Sequence, residues 1–165
     1  MQSLCLTCGL CCDGTLFSYV EIESDDNDAA LALDIQTVGE PGPRILKQHC
    51  PAHKNCSCTI YQNRPNTCRN FQCALIKRFN KHRISQAEAL KIIRDAVKLR
   101  DEVKRGMRSA FGENNYSFDE FTARLKARWK DADSVEARDR VSELFRKFAI
   151  LWLCINKNFH DRWQR

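Results

Sequence analysis

The sequence lacks the long apolar segments of membrane-spanning and exported chains. Its longest apolar run, residues 149–155, is far shorter than the ~20 residues that cross a bilayer. The first residues, M-Q-S-L-C-L-T-C, contain neither the basic stretch nor the apolar stretch of a secretory leader. We therefore expect a cytoplasmic protein with no membrane partner, whose cysteines stay reduced and act as metal ligands instead of forming disulfides.

The sequence also lacks the common catalytic motifs. It contains no Walker A sequence, no dinucleotide-binding G-x-G-x-x-G, no H-E-x-x-H and no G-x-S-x-G. The C-x3-C-x2-C spacing expected for radical chemistry on S-adenosylmethionine is absent from the N-terminal cysteine segment. The sequence therefore leaves open whether this protein is an enzyme.

Cysteine, by contrast, is abundant. The chain has ten cysteines, and nine of them precede residue 74. Four lie close together in the segment C-L-T-C-G-L-C-C, namely Cys5, Cys8, Cys11 and Cys12. Packing does not require this spacing. Thiolates two residues apart on a tight turn can converge on one ion or cluster, as the C-x2-C pairs of zinc and iron–sulfur sites do.

Two of these cysteines, Cys11 and Cys12, are neighbours in the chain. Adjacent side chains usually point apart, so both thiolates rarely bind one single ion. If both are ligands, two nearby centres or one polynuclear cluster are expected, and a single knuckle remains open only if Cys12 is a bystander. A second set of cysteines follows, so that two tetrahedral sites of four ligands could be filled: Cys50, Cys56, Cys58, Cys68 and Cys73.

Charge is distributed unevenly along the chain. Residues 1–76 carry 5 Lys/Arg and 8 Asp/Glu, a net charge of −3, whereas residues 77–165 carry 22 and 13, a net charge of +9. The basic half could contact nucleic acid or the acidic half of its own chain. Nucleic acid is not favoured as a partner, because few aromatic residues are interleaved with the basic ones.

Local patterns in the cysteine-rich half predict short, irregular structure. Residues 15–22 are rich in β-branched and aromatic side chains and are typical of a strand. A short helix is predicted through residues 29–33, and a loop at the glycine- and proline-rich residues 39–43. Residues 44–47 and 58–61 could pair as a hairpin.

The second half has helical patterns. Ser85 begins a capping box, and the helix that follows should end near Gly112. A second capping box occupies residues 117–120, and a third helix should begin within residues 133–136. The inward faces of the last two helices are predicted to include Phe121, Leu125 and Trp129, and then Val141, Leu144, Phe145, Phe148, Leu151, Trp152 and Ile155.

The sequence thus predicts an α+β fold with two parts. Residues 1–76 form a small irregular cysteine-rich metal-binding module with short strands. Residues 77–165 form a basic helical region, a bundle of about three α-helices, which we expect to pack on the module as one compact unit.

The cysteine motifs resemble those of a known family. Cys5-x2-Cys8-x2-Cys11-Cys12, then Cys50-Pro51, then C-T-I-Y-x2-R-P-x2-C-R-x-F-x-C at residues 58–73 are similar to the YkgJ-like CxxCxxCC cysteine-cluster family. The resemblance covers residues 5 to about 75 and implies a zinc- or iron-chelating domain. The metal ligands that it implies are Cys5, Cys8, Cys11, Cys12, Cys50, Cys58, Cys68 and Cys73.

The same resemblance carries over some residues that are not ligands. Tyr61, Arg64, Pro65, Arg69 and Phe71 match the pattern around the second set of cysteines. The two arginines are placed where cations could offset excess thiolate charge. The remaining cysteines look like extras, with Cys154 expected as a buried small apolar side chain.

Three hypotheses about function follow. The first is a metal-binding protein that chelates zinc or iron ions, or an iron–sulfur cluster. The second is an iron–sulfur enzyme of redox or group-transfer chemistry, because a related cluster occurs in enzymes that methylate flagellin lysines. The third is a zinc-stabilised nucleic-acid-binding protein. Whether Cys56, His49 or His53 binds metal, and which protein partner or substrate is involved, stays open.

Overall fold

The computed structural model describes residues 2–22, 26, 36–37, 44–112 and 118–161. Its internal contacts divide the chain into two compact units, Met1–Ile84 and Ser85–Arg165. The predicted strand and helix patterns within residues 23–25, 27–35, 38–43 and 113–117 lie outside the described residues. This includes the helix at 29–33, the loop at 39–43 and the first residue of the capping box at 117–120.

The first unit consists of short elements. In chain order they are α1 Gln2–Cys8, β1 Tyr19–Ile22, β2 Gln36–Thr37, β3 Arg44–Lys47, β4 His53–Lys54, β5 Ser57–Cys58, a 3₁₀ turn Tyr61–Asn63, α2 Asn66–Asn70 and α3 Ala74–Asn80. The predicted small module with short strands is therefore confirmed. The strand expected at 15–22 is shorter than predicted, and the boundary expected after residue 76 lies within α3.

The predicted hairpin between residues 44–47 and 58–61 is wrong. Strand β3 instead lies between β1 and β2 in an antiparallel sheet, with Ile22 opposite Arg44. Strand β5 pairs with β4, two residues before it, with His53 opposite Cys58. The β4–β5 turn is made by Asn55 and Cys56, whose φ angles of 50° and 60° suit the tight two-residue hairpin turn. The short β4–β5 hairpin forms in place of the longer predicted hairpin, because closing a short loop costs less chain entropy.

Thiols take part in the apolar core of the first unit. Ile22, Leu46 and Ala52 form a buried cluster together with Cys50. Cys12 and Cys58 pack against the same cluster. Cysteine side chains from distant parts of the sequence therefore meet where the sheet and the β4–β5 hairpin are packed.

The second unit begins with the long helix α4, Gln86–Phe111. The predicted capping box is confirmed, because the Ser85 hydroxyl accepts from the Glu88 N–H while the Glu88 carboxylate accepts from the Ser85 N–H. The helix ends at Gly112, which has a φ of 81° and donates its N–H to the Arg108 carbonyl. Both predicted ends of the helix are therefore correct.

Two further helices complete this unit, α5 Phe118–Lys130 and α6 Val135–Asn158. Helix α6 packs on both α4 and α5, and the predicted helical bundle is confirmed. Phe121 lies in the core of this bundle, where it is fully buried and edge-on to the Phe148 ring at a centroid distance of 5.4 Å. The predicted start of α6 is also correct, because Ser134 caps it by accepting from the Ala137 N–H.

Two tryptophans expected to face inward are exposed. Trp129 and Trp152 keep 49% and 46% of their surface accessible. Each follows the apolar periodicity of its helix at the edge of the buried stripe, where a large ring can lie partly outside the core. Among the described residues, no helix is long and apolar enough to cross a membrane.

Candidate metal centre

The N-terminal cysteines are arranged by a helix that ends in a tight turn. Helix α1 carries Cys5 and Cys8, which lie three residues apart on neighbouring positions of its surface. The chain reverses at Gly9, whose φ is 65° and whose carbonyl accepts from the Cys12 N–H at 3.0 Å. A Cβ at this position would lie 2.6 Å from His53 Nε2. Glycine therefore permits both the left-handed turn and the close approach of the β4–β5 hairpin.

The second cysteine segment is tied to the first by the backbone. The Cys50 N–H donates to the Cys12 carbonyl at 2.8 Å, and the Cys50 carbonyl accepts from the His53 N–H at 2.9 Å. The Thr59 N–H closes the hairpin on the Ala52 carbonyl at 2.9 Å. These bonds hold Cys50 and Cys58 beside Cys12.

The last two cysteines lie on and before short helices. Cys68 is in α2, and Cys73 immediately precedes α3 as its N-cap residue. The start of α2 is held by a residue that sequence reasoning missed. The buried Asp26 carboxylate accepts from the Asn66 N–H through both oxygens, at 2.8 and 2.9 Å. No motif marks Asp26, because the partner lies 40 residues away along the chain.

Electrostatic interactions divide the eight predicted ligands into two groups of four. Within each group, every thiol interacts with the other three. Across the groups, the described interactions join Cys11 to its chain neighbour Cys12. The first thiol group consists of Cys5, Cys8, Cys11 and Cys73. The second thiol group consists of Cys12, Cys50, Cys58 and Cys68.

Burial is the main influence on these thiols. Desolvation disfavours the thiolate and raises the pKa of Cys8 and Cys12 to about 12, that of Cys68 to about 11, and that of Cys11 well above the usual value. Neighbouring thiolates raise the pKa of each further by like-charge repulsion. Without a cation, these groups therefore hold their protons at neutral pH. A metal ion would displace the protons and neutralise the repulsion.

Backbone N–H groups act in the opposite direction on three thiols. The Cys8 sulfur accepts from Leu10 N–H, and this bond lowers the Cys8 pKa against the effect of burial. Cys50 is likewise approached by the N–H groups of Ala52 and His53, and Cys73 by those of Leu75 and Ile76, with the same effect on their pKa values. N–H donors directed at sulfur stabilise thiolate charge, which is the role such donors have around metal-bound cysteine.

The arginines of the motif have different surroundings. The Arg64 guanidinium lies over the Tyr61 ring, with its carbon 3.9 Å from the ring centroid. Burial raises the pKa of Cys5 and of Cys68, one thiol from each group, and the positive charge of Arg64 opposes part of that rise. Arg69 instead donates through Nη2 to the Gln62 and Arg64 carbonyls, at 3.1 and 3.4 Å. Arg69 thus shapes the loop.

The remaining cysteines and two histidines have other described surroundings. Cys154 is in α6 of the second unit, half-exposed, with Asn158 Nδ2 3.8 Å from its sulfur. Cys56 is at the tip of the β4–β5 turn. His49 and His53 contact each other, with 3.3 Å between His49 Nε2 and His53 Nδ1.

The thiols of each group are neighbours without forming a finished site. In the part of the chain that the structure describes, no three or more His, Cys, Asp or Glu side chains form a group that could hold a metal ion as it stands. The donor chemistry fits zinc or iron, since each group supplies four soft thiols and backbone N–H groups to support them. Ligation would therefore draw the four sulfurs of a group together around the ion.

Comparisons with known proteins agree with the motif. An uncharacterized protein YkgJ of Escherichia coli O157:H7 is 32% identical over 78 residues, covering 41% of this chain and 72% of that protein. No solved structure matches the chain. The profile of the family described as "CxxCxxCC: Putative zinc- or iron-chelating domain" matches residues 4–94, which span both thiol groups. This protein belongs to the CxxCxxCC family.

Proposed function

We propose that this protein chelates two metal ions, zinc or iron, in two separate centres of four thiolates each. The observation that carries the proposal is the division of eight cysteines into two groups, within which every thiol interacts with the other three. Four thiolates are a complete tetrahedral ligand set for Zn²⁺ and for a thiolate-bound iron.

The neighbours Cys11 and Cys12 support two centres in place of one. Cys11 interacts with Cys5, Cys8 and Cys73, whereas Cys12 interacts with Cys50, Cys58 and Cys68. Adjacent side chains that point to different sides of the backbone can each contribute to a different ion. The C-C pair of the motif then joins the two centres, with one peptide unit between their ligands.

Metal binding would also stabilise the first unit. Its described strands are two to four residues long, and its helices before Ser85 have at most seven residues. Elements this short are marginal by themselves in water. The free energy of ligation becomes folding free energy when the ligands are brought together only in the folded state.

The test is the metal content of protein expressed and purified without oxygen. We expect two zinc or iron ions per chain and no acid-labile sulfide. Cys73→Ser should reduce the content towards one, because the first thiol group loses a ligand. Cys154→Ser is the matched control and should retain two.

Two results would contradict the proposal. One is wild-type protein that binds fewer than two metal ions under these conditions. The other is iron with stoichiometric acid-labile sulfide and visible absorbance that bleaches on reduction. That second result would favour the iron–sulfur hypothesis and its redox or group-transfer chemistry.

A further inference from the structure

Arg64 interacts electrostatically with one thiol of each group, Cys5 and Cys68. It follows the 3₁₀ turn Tyr61–Asn63 and precedes Pro65, which is the N-cap residue of α2. The Tyr61 ring contacts the guanidinium face from 3.9 Å. Such stacking orients the planar head while leaving its N–H groups free to donate in the plane.

The Nε–H of Arg64 is a donor in need of an acceptor. Nε is buried and has no hydrogen-bond partner in the described part of the chain. Buried donors are usually satisfied, and a thiolate sulfur is a suitable acceptor for a charged donor. Arg69, the other arginine of the motif, directs Nη2 to two backbone carbonyls.

The charge balance also calls for a cation here. A divalent ion with four thiolates has a net charge of roughly −2, so two centres carry about −4. Acidic groups add to this, since Asp13 acts on Cys8 and Cys12, and Asp26 acts on Cys68. Arg64 acts on Cys5 of the first thiol group and on Cys68 of the second. One side chain therefore offsets negative charge in both groups.

We propose that Arg64 is a shared counter-cation and N–H donor for both metal centres, so that the affinity of both depends on this one positioning residue. This inference rests on the proposed function. Removal of Arg64 should weaken both metal ions together, although each has its own four ligands.

The experiment is an anaerobic competition titration of Zn²⁺ against a chromophoric chelator, repeated with Co²⁺ to record the thiolate-to-metal charge-transfer band. Arg64→Gln should weaken both metal equivalents by about 10- to 100-fold, the usual effect of losing an outer-shell partner. Its Co²⁺ band should shift, because a sulfur loses a donor. Arg64→Lys should give intermediate affinities, since it keeps the charge and loses the planar stacked Nε–H. Arg83→Gln is the matched control, because it removes an exposed arginine of the same unit, and it should keep both affinities and the band.

The outcomes separate this inference from the proposed function. Wild-type protein that binds fewer than two ions would overturn the proposed function. Two ions in wild-type protein, with Arg64→Gln affinities within about twofold of wild type, would overturn only the role of Arg64. So would weakening confined to one equivalent, or an Arg64→Lys variant as weak as Arg64→Gln. If Arg64→Gln does not fold, Arg64→Lys decides, and unchanged affinities with an unshifted band would overturn the inference.

Discussion

The adjacent cysteines Cys11 and Cys12 offer the sharpest dissection of the two centres. Each interacts with a different set of three thiols, so their single serine variants should damage different metal ions. Structural zinc sites bind with about 10–16 kcal/mol of apparent free energy. If this free energy is shared equally among the four thiolates of one group, the loss of one ligand removes roughly 3 kcal/mol. The affinity for that ion then falls about 150-fold.

The assay is the same anaerobic chelator competition applied to single and double variants. Cys11→Ser and Cys12→Ser should each leave one tight equivalent and one weak equivalent. Cys8→Ser/Cys11→Ser removes two ligands of the first thiol group and should still retain one tight ion. Cys11→Ser/Cys12→Ser should retain no tightly bound ion, because the losses of binding free energy at two independent sites add.

The opposite pattern would refute the reasoning. If Cys11→Ser/Cys12→Ser keeps one tight ion while Cys8→Ser/Cys11→Ser loses both, the division of the thiols is wrong. Loss of all metal from every single variant would instead indicate one shared polynuclear centre.

Three further predictions concern stability. Removal of the metal by an added chelator should reduce amide hydrogen-exchange protection in residues 1–75 more than in α4 and α6, because the ligands lie in the first unit. Retained protection in residues 1–75 after verified metal removal would contradict this prediction. Metal-free protein should become less stable as the pH rises above about 8.5, because burial raises the pKa of Cys8 and Cys12 on folding to about 12. This contribution to stability is fully present below pH about 8.5 and is lost as the pH rises towards the folded pKa. Denaturation midpoints that rise over this range would count against it, and metal-loaded protein is the control. Gly106→Ala should destabilise the second unit by about 1 kcal/mol, because its Cβ would press on the buried Leu144 side chain between α4 and α6, and this strain exceeds the roughly 1 kcal/mol that alanine gains over glycine within a helix. An unchanged or raised thermal unfolding temperature would show that Leu144 moves aside freely, and metal content should not change.

Much of the fold follows from local signals in the sequence. The capping residues Ser85 and Ser134 and the terminal Gly112 determine where helices begin and end, and each acts within four residues of its own position. Strand pairing was harder to predict, because β3 could pair with several segments of similar composition. The short Asn55-Cys56 turn decided against the longer hairpin.

The candidate ligands were also evident from spacing, whereas their grouping was not. C-x2-C spacing indicates that thiols can converge, but it carries no information on which remote cysteine joins them. That depends on long-range contacts such as the Cys50 N–H bond to the Cys12 carbonyl and the Asp26 carboxylate at Asn66. The prediction that Trp129 faces inward was wrong for a related reason, because helical periodicity does not define how far the partner helix extends.

The most direct test of two four-thiolate centres is a crystal structure of the metal-loaded protein with anomalous scattering measured at the metal edge. We expect two separate peaks, each about 2.3 Å from four sulfurs. One should be bound by Cys5, Cys8, Cys11 and Cys73, and the other by Cys12, Cys50, Cys58 and Cys68. A single peak or cluster bound by both Cys11 and Cys12 would contradict the account.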